Sequence, residues 1–301
     1  MTALDVGIYE GVPHDDYHAD CCVEPSLNAS VALTLLNRSP LHARHEHPRL
    51  GGPCEPRKAS KAMDTGSVVH ALALGAGPRF VGLPYADYRT NAAKDARDQA
   101  RAEGKIPLLE RHLDECREIA SHVAWAAPES AQKEVTIVWR GVSMGYPPPL
   151  CRCRPDVLQV GAGMGAIITD LKVVEDAARA VEARSIISNG YDLRAANQVE
   201  ALEDQLPALA GRVTFKLLFV ESAPPYAIVE AELSGELLEL GRRKWRRGVG
   251  VWAQCLATDT WPGPHRGHAL IDAPPWALDN DLATEIRVTG GQRNSNADLG
   301  L

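Results

Sequence analysis

Nowhere in this sequence do eighteen apolar residues run together, and the first residues, MTALDVGIYEG, hold neither a basic cluster nor an apolar stretch. The sequence therefore predicts no membrane span and no secretory signal, with the cytoplasm as the default address. The seven cysteines, at positions 21, 22, 54, 116, 151, 153 and 255, include no CxxC pair and no regular framework. Reduced thiols are expected, and an iron-sulfur cluster on four scattered cysteines stays open without any spacing that points to it. Internal repeats and low-complexity tracts are absent. Positive charge is also short: the formal net charge is -7, so the chain does not coat nucleic acid with its whole surface, and any DNA contact must run through a local basic channel.

What is present is enough for a folded protein, since 301 residues with 45% hydrophobic content fill a sizeable core. Residues 1–60 are rich in Pro, His and Asp and read as an N-terminal collar with one helix, SLNASVALTLLN, ending before Ser39-Pro40. In HARHEH, His42, His45 and His47 lack cysteine or carboxylate partners at ligand spacing, so they are expected on the surface rather than on a metal. The segment SKAMDTGSVVHALALG predicts a helix that encloses His70, with Asp64 or Thr65 as its cap. Two further helices are expected over NAAKDARDQARAEGK and LLERHLDECREIASHVAWA.

At Glu134 the period changes to that of strands, through EVTIVWR, the turn SMGYPPPL, LCRCRPDVLQV and AIITDLKVV. GAGMG between the last two is a turn, because a dinucleotide fingerprint would open a helix and here a β-branched strand follows. Helices over about 176–188 and 191–210, the strands RVTFKLLFVES and YAIVEAEL, and a helix over about 235–257 complete the pattern. The expectation is an α/β fold with a mixed central sheet flanked by helices. It forms one domain over 1–279, with its core at 61–279, followed by a disordered tail at 280–301.

Three charges sit in these apolar runs. Asp170 and Lys172 share one face of their strand, and a hairpin around GAGMG would bring Asp156 onto Asp170. Two converging carboxylates suit Mg²⁺ or Mn²⁺, and a lysine beside them can orient and help deprotonate a water attacking a phosphodiester. From these residues alone, an Asp in a turn with an ordinary Asp-Lys pair accounts for the pattern equally well. GRRKWRRG places Arg242 and Arg246 on one helix face and Arg243 and Arg247 on the next. That stripe fits phosphate contact or a solvated face balanced by Glu236 and Glu239.

GIYEGVPHDDYH, SLNAS, NRSPLHAR, DTGSVVHALAL, CRCRPD, ITDLK and YDLRAANQ, in this order, resemble the nuclease domain of the exonuclease VIII family, the RecE-like branch of the PD-(D/E)XK superfamily found in phages and prophages. The resemblance covers about 7–278. It implies a PD-(D/E)XK, restriction-endonuclease-like fold and a Mg²⁺-dependent exonuclease that digests linear double-stranded DNA from the 5′ end. The 3′ tails would pass to a RecT-like single-strand annealing protein, and the nuclease would work as a homo-oligomeric ring.

By the same resemblance His70, Asp156 and Asp170 are the metal ligands, Lys172 is the catalytic lysine, and Glu134 is a metal or water ligand. Gln198 and Tyr191 lie on the helix that contacts the strand being cut. The chain departs from the family at Val173 and Val174, where hydroxyl residues often follow the lysine, and at Leu202, where a tyrosine often stands. A RecB-like or CRISPR-adaptation nuclease of other polarity, and a catalytically silent DNA-end-binding protein, remain as alternative readings.

Overall fold

The structure is a computed structural model that describes residues 3–51, 60–126, 128–161, 165–264 and 272–291. Strand β1 (Gly7–Tyr9) and the short α1 (His14–His18) lead into α2 (Ala29–Asn37) and α3 (Pro40–Glu46). Asn28 caps α2 by accepting the Val31 N–H at 2.9 Å, and Ser39 caps α3, which starts on Pro40. Helix α4 (Lys61–Leu74) is capped by Ser60, ahead of the expected Asp64 or Thr65, because the Ser60 hydroxyl accepts the Met63 N–H at 3.2 Å.

Next come β2 (Phe80–Leu83), α5 (Asn91–Ala102), β3 (Ile106–Leu109) and α6 (Glu110–Val123). Here β2 and β3 pair in parallel, whereas sequence periodicity places Leu108 and Leu109 in a helix. Gly104, at φ 67°, turns the chain after α5 and sends it into β3 before α6 can begin.

The remaining strands are β4 (Gln132–Lys133), β5 (Thr136–Arg140), β6 (Leu150–Cys153), β7 (Val157–Gly161) and β8 (Gly165–Val174). After α7 (Ala177–Ala180), α8 (Ala183–Ser188) and α9 (Tyr191–Gln205) follow β9 (Val213–Glu221), β10 (Ile228–Glu232) and α10 (Gly235–Thr258).

Three sheets replace the single expected one: β10-β9-β8-β7-β4, β1-β5-β6 and the β2-β3 pair. The first is mixed, since β8 and β9 run parallel and its other neighbours antiparallel. The predicted strand through the PD motif, LCRCRPDVLQV, changes sheets midway, and β4 with β5 does the same beside it. Between β4 and β5 the chain turns at Glu134, a non-glycine residue at φ 53°. Between β6 and β7 it turns at Arg154-Pro155-Asp156, where Pro155 has no N–H to continue a ladder.

Alternation along β8 and β9 sorts their side chains between two cores. Ile168, Phe215, Leu217 and Phe219 join the larger core with α2, α9 and α10, whereas Leu171, Leu218 and Val220 join a second core with α4 and α6. Leu27, Ala32 and Leu35 of the predicted collar are buried in the larger core, so this segment is built into the fold.

The chain divides into two compact units, Met1–Gly263 and Pro264–Leu301. In the second, a helix, α11 (Pro275–Gly291), occupies part of the stretch predicted as a disordered tail; residues 292–301 lie outside the described ones. Among the described residues no helix is long and apolar enough to cross a membrane.

Candidate metal centre

The two chain crossings between sheets lie side by side, with the Glu134 N–H donating to the Asp156 carbonyl at 3.1 Å. A left-handed backbone at a glutamate is costly, on the order of 1 kcal/mol or more, and its position here aims the side chain at Asp156. Ligand atoms of His70, Glu134 and Asp156 all lie within 4.8 Å of one another.

The backbone of β8 organises this group. Pairing with β7 stops at Val157 opposite Thr169, so the next peptide groups on that edge need other partners. The Leu171 N–H donates to Asp156 Oδ2 at 2.8 Å. The Leu171 carbonyl accepts from His70 Nε2 at 2.7 Å and from Lys172 Nζ at 3.0 Å. Because a carbonyl only accepts, Nε2 of His70 carries a proton, and in the neutral ring the Nδ1 lone pair faces Asp156, 3.5 Å from its Oδ2.

Asp170 is 5% exposed and stands outside this close trio, ion-paired with Lys172. Both point to the α9 side of the sheet, where the ammonium lies 5.9 Å from the centre of the Tyr191 ring.

The electrostatics show a site short of positive charge at one end. Burial, with the Asp156 charge, pushes the Glu134 carboxyl up to about 7, although Arg154 at 3.5 Å opposes the shift. Burial raises Asp156 as well, with Asp170 adding to it and His70 and Lys172 pulling back. Burial would also raise Asp170, but the Lys172 charge and hydrogen bond outweigh it and leave this carboxyl below its ordinary value. Desolvation works to lower Lys172, yet Asp170 and Asp156 hold it above its ordinary value. Lys172 is therefore a firm ammonium and Glu134 a crowded, half-titrated carboxylate. One imidazole nitrogen and two carboxylates crowded in a desolvated pocket are the donor set of a divalent-cation site, and a cation between them would offset their repulsion.

Gln198 is buried on α9, and Tyr191 opens that helix after Gly190, whose φ of 68° ends α8. Leu202 is fully buried in the larger core, which explains an aliphatic residue at this position. Val173 packs against the second core and Val174 against the larger one. The α10 stripe is largely matched by carboxylates: Arg242 with Glu203 at 3.0 Å, Arg246 with Glu200 at 2.9 Å, and Arg243 with Glu239 at 3.5 Å. Its chief partners therefore come from α9 rather than from the predicted Glu236. His47, expected on the surface, is buried and sits 3.3 Å from Asp20.

Two residues near the site went unassigned in the sequence. Arg154, inside CRCRPD, lies over the Tyr17 ring at 4.3 Å and donates to the Val12 carbonyl at 2.8 Å while facing Glu134. Arg194 lies within YDLRAANQ, and its spacing from Tyr191 and Gln198 was the available signal.

No family model and no curated protein matches this sequence. Among solved structures, SSO0001 superposes over 64% of this chain and 77% of that chain at 11% identity and a TM-score of 0.29, too loose a likeness to bear on the fold. A crystal structure of a Eubacterium rectale protein, provisionally called an exonuclease, superposes over 90% of this chain and 98% of that chain, at 13% identity and a TM-score of 0.57. This chain thus has the mixed α/β fold of that protein over nearly its whole length.

Proposed function

We propose that the chain is a metal-dependent nuclease of the PD-(D/E)XK type, acting from the 5′ ends of linear double-stranded DNA. The observation that carries this reading is the meeting of His70, Glu134 and Asp156 beside an Asp170-Lys172 pair, at the end of a strand ladder. Its support comes also from the shared fold with a protein provisionally called an exonuclease.

His70 Nδ1, Glu134 and Asp156 would hold the cation, with Asp170 beside them; Mg²⁺ suits oxygen donors of this kind and Mn²⁺ tolerates the imidazole more readily. A divalent cation would supply Lewis-acid polarisation of the scissile phosphate and a more acidic water. The chain's own residues do the rest. Lys172, kept protonated by Asp170, offers hydrogen bonds and charge to the developing oxyanion instead of taking a proton. In the same proposal the 3′ tails serve a RecT-like annealing protein, and a homo-oligomeric ring in the cytoplasm holds the duplex.

The test is digestion of a linear duplex labelled at either end, with Mg²⁺ and with EDTA, beside a closed circle. Early metal-dependent release of the 5′ label, absent on the circle, is the expected result. Cleavage of the circle would move the chain to a RecB-like or other nuclease, and binding without cleavage would make it a silent end-binding protein.

A further inference from the structure

Four of the five cations of α10 have carboxylate partners, and Arg154 beside the site has Glu134, but Arg194 of α9 has none among the described residues. Arg194 lies one helical turn from both Tyr191 and Gln198, so the three side chains share a face of α9. That face looks onto Asp170 and Lys172: the ammonium is 5.9 Å from the Tyr191 ring, and the Arg194 charge acts on Asp170, Lys172 and Tyr191. Among the described residues no carboxylate lies within 4.0 Å of the Arg194 guanidinium. Its one hydrogen bond is a long one, 3.4 Å to the Ser30 hydroxyl, and its buried Nε has no partner. On the same face Gln198, 7% exposed, also has its Oε1 without a partner.

A half-buried guanidinium without a counter-ion is costly unless an anion joins it. The Arg194 charge acts on Asp170, and the Ser30 hydroxyl that its guanidinium reaches is exposed. Val173 and Val174, next along β8 from Lys172, are packed into the two cores and present no donor. Glu134, Asp156 and Asp170 repel a phosphate, so beside Lys172 and a divalent cation held by the carboxylates, a further cation acting on Asp170 and Lys172 helps to retain the strand.

We infer that Arg194 grips a backbone phosphate of the nucleic-acid strand held in the site, with the Ser30 hydroxyl as a second donor. This rests on the nuclease reading and adds to it a substrate contact. A planar guanidinium can offer two parallel N–H bonds to one phosphate, which a lysine cannot.

The experiment measures binding of a blunt linear duplex in Ca²⁺ over a series of salt concentrations, and cleavage of the same duplex in Mg²⁺. The chains compared are the wild type, Arg194→Met, Arg194→Lys and Arg243→Met. Methionine keeps an apolar stem in the same space, and thermal melts report whether each variant folds. The expected result for Arg194→Met is binding weaker by on the order of tenfold to a hundredfold, with a salt slope smaller by about one phosphate contact and an unchanged melt. Arg194→Lys should recover the slope but not the full affinity, and Arg243→Met should alter neither. If Arg194→Met lowers the melting temperature while slope and affinity stay at wild-type values, the residue is structural and the inference falls alone. Were the wild type to bind no DNA, both this inference and the nuclease reading would fall.

Discussion

Replacing Glu134 by glutamine should stabilise the metal-free protein above neutrality and leave it unchanged in acid. The carboxyl is raised from 4.5 to about 7 in the folded chain, mainly by burial and then by Asp156. At about 1.4 kcal/mol per pKa unit, that rise corresponds to about 3 kcal/mol. The sign follows from proton uptake: between pH 4.5 and about 7 the folded state keeps a proton that the unfolded state has released. Glu134 therefore costs nothing below its unfolded pKa, and stability is lost as the pH rises through the folded value.

Glutamine has the same shape and no charge, and Arg154 keeps its bonds to Val12 and Thr136. Thermal unfolding in EDTA should thus show Glu134→Gln melting about 6 °C above the wild type at pH 8, at about 2 °C per kcal/mol for a unit of this size. At pH 5 most of that gap should close. Added Mg²⁺ should raise the wild-type melt at pH 8 and leave the variant almost where it was. A glutamine variant less stable than wild type by the same amount at both pH values would refute the crowding of carboxylates at this site.

Three other outcomes are expected. Lys172→Met should lower turnover by on the order of a hundredfold to a thousandfold while metal-supported DNA binding persists, as single-turnover cleavage and a binding titration would show. Arg242→Ala with Arg246→Ala should leave the salt slope of DNA binding unchanged and lower the melting point slightly, because these groups answer Glu203 and Glu200, and such partly exposed pairs are worth at most about 1 kcal/mol each. Gly241→Ala should destabilise the protein clearly, since a Cβ there would lie 2.0 Å from the Asp192 carbonyl oxygen; either α9 or α10 must shift, and the melt together with Lys172-dependent cleavage would both fall.

Much of the site was legible because its side chains stand next to unmistakable local patterns. Asp170 and Lys172 alternate with β-branched residues in ITDLK, so their common face follows from the pleat alone. His70 sits in a strongly helical run, and the long helix over 235–257 matches α10 to within a residue or two. What local pattern misjudged depends on partners far along the chain. LCRCRPDVLQV reads as one strand because each half is apolar, yet its halves pair with different strands, β6 with β5 and β7 with β8. The arginines of α10 read as a basic stripe because their carboxylate partners, Glu200 and Glu203, lie on another helix.

The sequence by itself determined most of the long helices, the strand character of β5, β8 and β9, and the identity of the charged residues placed in apolar runs. All of these rest on interactions a few residues long. Only the tertiary structure decided that Glu134 turns through a left-handed backbone to face Asp156, that Asp170 pairs with Lys172 apart from the close trio, and that among the described residues no carboxylate pairs with Arg194. Such facts depend on where one strand ladder ends and another begins. The free edge of β8 at Leu171 exists because β7 stops short, and Asp156 and His70 from two other segments join the neighbouring Lys172 there to satisfy its backbone groups.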